Sequence, residues 1–311
     1  MGELLALTSA LCFGTTHFLS GLVSRRHHGV TVAACAQAGG TAVSLVPVLL
    51  THAAPAPPSA LAWGALSGVG TGVGVACLYR AMNTGPMSVV VPVSDITAVG
   101  VPVAAGIAFL GDRPSPSALT GIALALPALW LISRGGTGHA PTAQTPTAQT
   151  PTGRTPTAQM PTAQRPTAQP PTGRRAAAPL VTALIAGLGL AVHFFALARV
   201  PADAGWWPVV VSRVLSVAVI LALLPAVGAS VRLPWRAAVT AAAAGALGTL
   251  ATVLYLLATR QELLSVAVVL SALYPAVPVL LALTVLRERI TRPQVAGVLG
   301  AGAALALIAL G

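Results

Sequence analysis

The sequence predicts an all-α integral membrane protein: ten transmembrane helices arranged as two inverted five-helix repeats. Three observations carry that expectation. Charged residues make up 7% of the chain against 55% hydrophobic, with a mean hydropathy of +0.84. A water-facing surface takes about 25% charged residues, so lipid must serve as the solvent. Ten apolar stretches approach the length of roughly 20 residues that crosses a bilayer. The chain also repeats itself at one offset, 176 residues (17 to 193), from its first apolar stretch to its last.

That register is specific. His17-Phe18 aligns with His193-Phe194, Gly29 with Gly205, Gly72 with Gly248, and Leu78-Tyr79 with Leu254-Tyr255. Pro102 and Pro278, Asp112-Arg113 and Glu288-Arg289, and Gly121 and Gly297 continue it. Internal duplication of a multi-span chain is the usual build of a secondary transporter.

The spans read, in order, Leu4–Val23, Val30–Thr51, Ala60–Met82, Met87–Leu110 and Ser115–Ser133, then Pro179–Arg199, Trp206–Gly228, Trp235–Thr259, Leu263–Leu286 and Gln294–Leu310. The first lacks a basic leader (Glu3 precedes it) and exceeds a signal-peptide core of roughly 7–15 residues, so it is expected to stay as a helix. Five spans per copy is odd, so the second copy enters the membrane from the opposite face. The units are therefore residues 1–134 and 177–311, joined by a Pro/Thr-rich linker over 135–176. Pro recurs there at every fifth position in pentads such as Pro141-Thr-Ala-Gln-Thr, which forbids helix and offers nothing for a core. The linker is expected to be a disordered, partly polyproline-II tether.

The net charge of +11 comes from Arg, for the chain has no Lys. Arg25, Arg26, Arg80, Arg134, Arg232, Arg236, Arg287, Arg289 and Arg292, with Arg154, Arg165, Arg174 and Arg175 of the linker, fall in the loops after odd-numbered spans, while the even loops hold only Arg113, Arg199 and Arg260. By the positive-inside rule the odd loops and linker face the cytoplasm and both termini lie outside, in a multi-pass plasma (inner) membrane protein. No basic patch interleaved with aromatics suggests nucleic acid. Cys12, Cys35 and Cys77 lack metal-ligand spacing and are expected to be small buried hydrophobes.

Each copy closes on a short motif, Gly111-Asp112-Arg113 before Gly121 and Arg287-Glu288-Arg289 before Gly297. With the Pro-containing apolar spans upstream, this resembles EamA-type proteins of the drug/metabolite transporter superfamily, over both halves but not the linker. The resemblance implies a ten-helix carrier of small metabolites or drugs working by alternating access. It also implies a central cavity lined by the first four helices of each half, with the fifth peripheral. Cytoplasmic termini are the family norm, the reverse of what the arginines here predict.

Ionisable groups inside a bilayer are costly and face a cavity or each other, so the short list here is informative. Asp95 is the one carboxylate deep in a span. Pro92 and Pro102 flank it and are expected to break the fourth helix locally, suiting Asp95 to a cationic group or a proton; the alternative is a structural carboxylate among hydroxyls. Arg213 lies mid-span opposite its repeat mate Gln37; it pairs with Asp95, holds an anionic substrate group, or is purely structural. His17 and His193 are symmetric and suit a proton relay or hydrogen-bonded packing, but lack a third ligand for a metal. Tyr79 and Tyr255 are also symmetric, at a cavity mouth or as interfacial anchors, and Trp206-Trp207 read as interfacial. Gly64, Gly68 and Gly72 share one helical face and Gly70 and Gly74 another, which serves close packing within the chain or in a homodimer.

These features favour a secondary carrier, with export by proton exchange or simple facilitated movement expected and no cofactor. A membrane enzyme needs a clustered acid–base set, whereas five of the six acidic residues sit at span ends. A receptor or scaffold is the remaining alternative, and only the long linker speaks for it.

Overall fold

The apolar stretches fold as helices. The structure is a computed structural model and describes residues 1–24, 26–50, 54–84, 87–134, 173–284 and 291–310. No strand occurs among them. The first half holds α1 (Gly2–Ser24), α2 (Gly29–Leu50), α3 (Pro58–Thr84), α4 (Met87–Phe109) and α5 (Pro116–Arg134). The second holds α6 (Gly173–Ala198), α7 (Trp207–Leu223), α8 (Trp235–Ala258), α9 (Leu264–Ser271), α10 (Ala276–Thr284) and α11 (Arg292–Ala309). Five of the ten expected spans, within α1, α2, α3, α6 and α8, are long and apolar enough to cross a membrane. The apolar helices in α4, α5, α7 and α11 are shorter. The linker's residues up to 172 and the second copy of the closing motif lie outside the described residues. α6 starts at Gly173, ahead of the expected Pro179.

One expectation is reversed. The helix break predicted around Asp95 is absent, since α4 runs without interruption through Pro92 and Pro102. The break lies instead in the ninth span, where Ala272–Pro275 separates α9 from α10. Pro275 cannot donate to the helical ladder and clashes with the preceding turn, and Pro278 follows closely in sequence. The fourth span has no proline at the position matching Pro275, where Val99 stands.

Helices of the two halves interleave. α3 packs on α6 and α7, α8 packs on α1 and α2, α4 on α6, α1 on α9 and α10, and α5 on α11. Glycine decides how closely they approach. A Cβ on Gly68 would stand 2.9 Å from the Ser212 carbonyl carbon of α7, and one on Gly70 2.6 Å from the Gly189 oxygen of α6. The two glycine faces of α3 thus fit two different helices, which accounts for both stripes within one chain. Hydroxyl groups add to this seam: Ser9 donates to Ala251 O (2.8 Å), Thr16 to Ala244 O (3.0 Å) and Thr249 to Gly40 O (3.1 Å). Each such bond is worth about 0.6 kcal/mol in lipid.

The α5–α11 contact is reciprocal at the repeat offset. Gly121 meets Ala304 and Ile308, and Gly297 meets Ala128 and Ile132. Gly111, with φ of 77°, ends the turn after α4 in a left-handed conformation that glycine adopts without strain. That turn aims Asp112 at the other half, where its Oδ2 accepts from the backbone N–H of Ser265 at 2.8 Å, in the first turn of α9. The acidic residue of the closing motif is therefore a helix cap across the repeat boundary. The three cysteines are half-buried rather than buried.

Candidate functional site

Arg213 is carried to the centre of the bundle by α7, whose Ser212, Arg213 and Ser216 are buried. Its Nη1 donates to Gln37 Oε1 at 2.8 Å, and its Nη2 to Gly248 O at 2.9 Å and to Thr252 Oγ1. The glycine at 248 puts no side chain of its own beside the guanidinium. Gln37 is the residue that corresponds to Arg213 at the offset of 176. Two equivalent positions can touch only where the copies meet.

His193 lies on α6, 5% exposed. Its Nδ1 is 2.8 Å from Ser67 Oγ and 2.7 Å from Thr71 Oγ1, and Ser67 Oγ is 3.0 Å from Ser212 Oγ. Ser67 and Thr71 stand four apart on α3, between its two glycine faces. The close approach of α6 and α7 is what brings these hydroxyls to one imidazole. A neutral imidazole held by hydroxyls suits a low-dielectric interior.

Asp95, 5% exposed, accepts at Oδ1 from the hydroxyl of Tyr274 at 3.0 Å. Tyr274 sits in the break between α9 and α10, and His17 stacks on its ring (centroids 4.8 Å apart, planes 20° apart). Gly14, one turn before His17, also lies against Tyr274 and Val277. His17 itself is exposed. Phe13 touches both Tyr274 (6.3 Å) and Phe194 (6.2 Å), and Phe194 touches His193 (5.3 Å). An aromatic row thus joins the two histidines.

The sequence candidates fall into two groups. Arg213, Gln37 and His193 cluster around Ser212, while Asp95 and His17 meet through Tyr274. Arg213 bonds to Gln37, Gly248 and Thr252, and Asp95 accepts from Tyr274. Tyr255 is at no cavity mouth and no interface: it is fully buried and donates to Phe194 O at 2.9 Å. Tyr79 is half-buried, packed against the α2–α7 cluster of Val30, Ala33, Ala34, Ile220 and Leu224. Symmetry selected those two tyrosines and passed over Tyr274, whose repeat mate is Ala98. The Pro275 beside it was the available signal. Ser67 and Thr71 were hidden inside a stretch whose glycines dominate its reading.

No curated protein matches the chain. A crystal structure of a protein whose description states no function covers 99% of this chain and 96% of its own, with TM-score 0.69 and 16% identity. At that identity the likeness shows the fold alone. The model of the EamA-like transporter family matches residues 1–134, the unit that contributes Asp95, Gln37, His17 and the Asp112 motif. The resemblance read from the Gly111-Asp112-Arg113 motif is matched over residues 1–134 by the EamA-like transporter family.

Proposed function

We propose that the chain is a secondary carrier of the drug/metabolite transporter superfamily. It moves a small metabolite or drug across the plasma membrane by alternating access, and export is its direction. Its units are two inverted five-helix repeats, 1–134 and 177–311, giving ten spans with the ninth broken. One observation carries this reading: Arg213 bonds to its own repeat mate Gln37. Contact between repeat mates is what a pseudo-two-fold axis would produce, and in inverted-repeat carriers the substrate site lies on that axis. The reciprocal contacts of Gly121 and Gly297 support the same axis.

The two copies differ in state, which supports alternation. His17 is exposed beside a broken helix, and its mate His193 is buried behind an unbroken one. Exchange of these conformations between the copies opens the centre to the other side of the membrane. Asp95, with Tyr274 and His17 beside it, is the proton site of this mechanism. The test compares the contents of cells expressing wild type, Asp95→Asn or empty vector at equal membrane levels. A compound depleted in wild-type cells and enriched outside, with that change lost in Asp95→Asn, is expected. No difference between wild type and vector over a broad panel of metabolites and drugs contradicts the carrier.

A further inference from the structure

We infer that Arg213 receives the carboxylate of a small organic anion, and that the donors completing its site are Arg213 Nε and Ser216 Oγ. The inference rests on the carrier reading and names the chemistry of its substrate. Arg213 is 6% exposed in the middle of an apolar helix, and each recorded partner, Gln37 Oε1, Gly248 O and Thr252 Oγ1, is neutral. A guanidinium in lipid is costly and is normally compensated by an anion. Among the other acidic residues, Glu3, Asp112, Asp203, Glu262 and Glu288 stand at span ends, and Asp95 receives Tyr274.

Two buried polar atoms on α7 have no hydrogen-bond partner: Arg213 Nε and Ser216 Oγ. They belong to residues three apart, on one face of the helix. Neutral partners already hold Nη1 and Nη2, which fixes the plane of the guanidinium and leaves Nε free to donate. A guanidinium N–H and a hydroxyl match the two oxygens of one carboxylate, whose single negative charge balances the single positive one. A dianionic phosphate would leave a net negative charge in the same apolar surroundings. Both donors are enclosed here among helices packed on α7, so the anion enters as those helices part.

The test is equilibrium binding to the full-length protein in lipid nanodiscs, by calorimetry. The probes are benzoate, benzamide, benzylamine and phenylphosphonate. Saturable binding of benzoate, and none of benzamide or benzylamine, is expected. Arg213→Gln should weaken benzoate by about tenfold or more, the equivalent of one charge-assisted hydrogen bond. Ser216→Ala should weaken it several-fold. Arg213→Lys covers the case in which the glutamine variant does not fold: it keeps the charge, loses the planar fork, and should also bind less tightly. Benzoate binding no tighter than benzamide overturns the proposal, and so does wild-type affinity in the folded Arg213 variants. Phenylphosphonate binding more tightly than benzoate overturns the carboxylate. Benzoate binding without flux in proteoliposomes would leave the site standing and remove the carrier; flux of compounds lacking an anionic group would do the reverse.

Discussion

Replacing Gly121 or Gly297 by Ala should destabilise the protein by similar amounts, because the two glycines make the same contact from opposite sides. A Cβ on Gly121 would lie 2.7 Å from Ala304 O and 2.8 Å from Ile308 Cγ1. One on Gly297 would lie 2.7 Å from Ile132 N, and 2.8 Å from Ala128 O and Ile132 Cγ1. Backbone atoms cannot rotate out of the way as a side-chain tip can, so α5 and α11 must separate. Overpacking of this kind costs about 1–3 kcal/mol. The double variant should cost less than the sum, since one separation accommodates both methyls. Gly302→Ala, on the same helix with nothing within 4 Å of its would-be Cβ, is the internal control and should be neutral or slightly stabilising. Reversible unfolding of the purified protein in mixed micelles measures all four variants. A large loss at one glycine with none at the other, or full additivity, would refute the reciprocal interface.

Tyr274→Phe removes the hydroxyl that reaches Asp95; it should cost about 1.5–3 kcal/mol where Asp95 is ionised and about 0.5–1.5 where it is neutral, so unfolding stability distinguishes the two states. Asp112→Ala should destabilise by about 1 kcal/mol through loss of the cap on α9, and Asp112→Asn should recover most of it, because the amide oxygen still accepts from Ser265. Amide exchange at the start of α9 locates the effect.

The helical build was legible in the sequence because lipid imposes a simple rule: long apolar stretches become helices, five of them long enough to cross a membrane. The offset also anticipated a polar pair at positions 37 and 213, although only the fold shows that the two side chains touch. What escaped was asymmetry. Asp95 has the serine Ser271 as its mate, and Tyr274 an alanine, so reasoning by symmetry gave no reason to join them. The fourth span carries Pro92 and Pro102 yet stays helical, whereas Pro275 coincides with the interruption of the ninth. A proline marks where a helix is weakened, and packing decides where it yields. Asp112 looked like part of a family motif, and its capping of α9 emerges only when residues 153 apart meet.

Side-selective labelling of cysteines placed at positions 17 and 193 tests the central claim most directly, in full-length protein with Cys12, Cys35 and Cys77 replaced by Ala. Alternation of two inverted copies predicts that His17→Cys reacts from one side of the membrane and His193→Cys from the other. It also predicts that a condition raising one reactivity lowers the other. Labelling of both from the same side, or independent changes at the two positions, would contradict it.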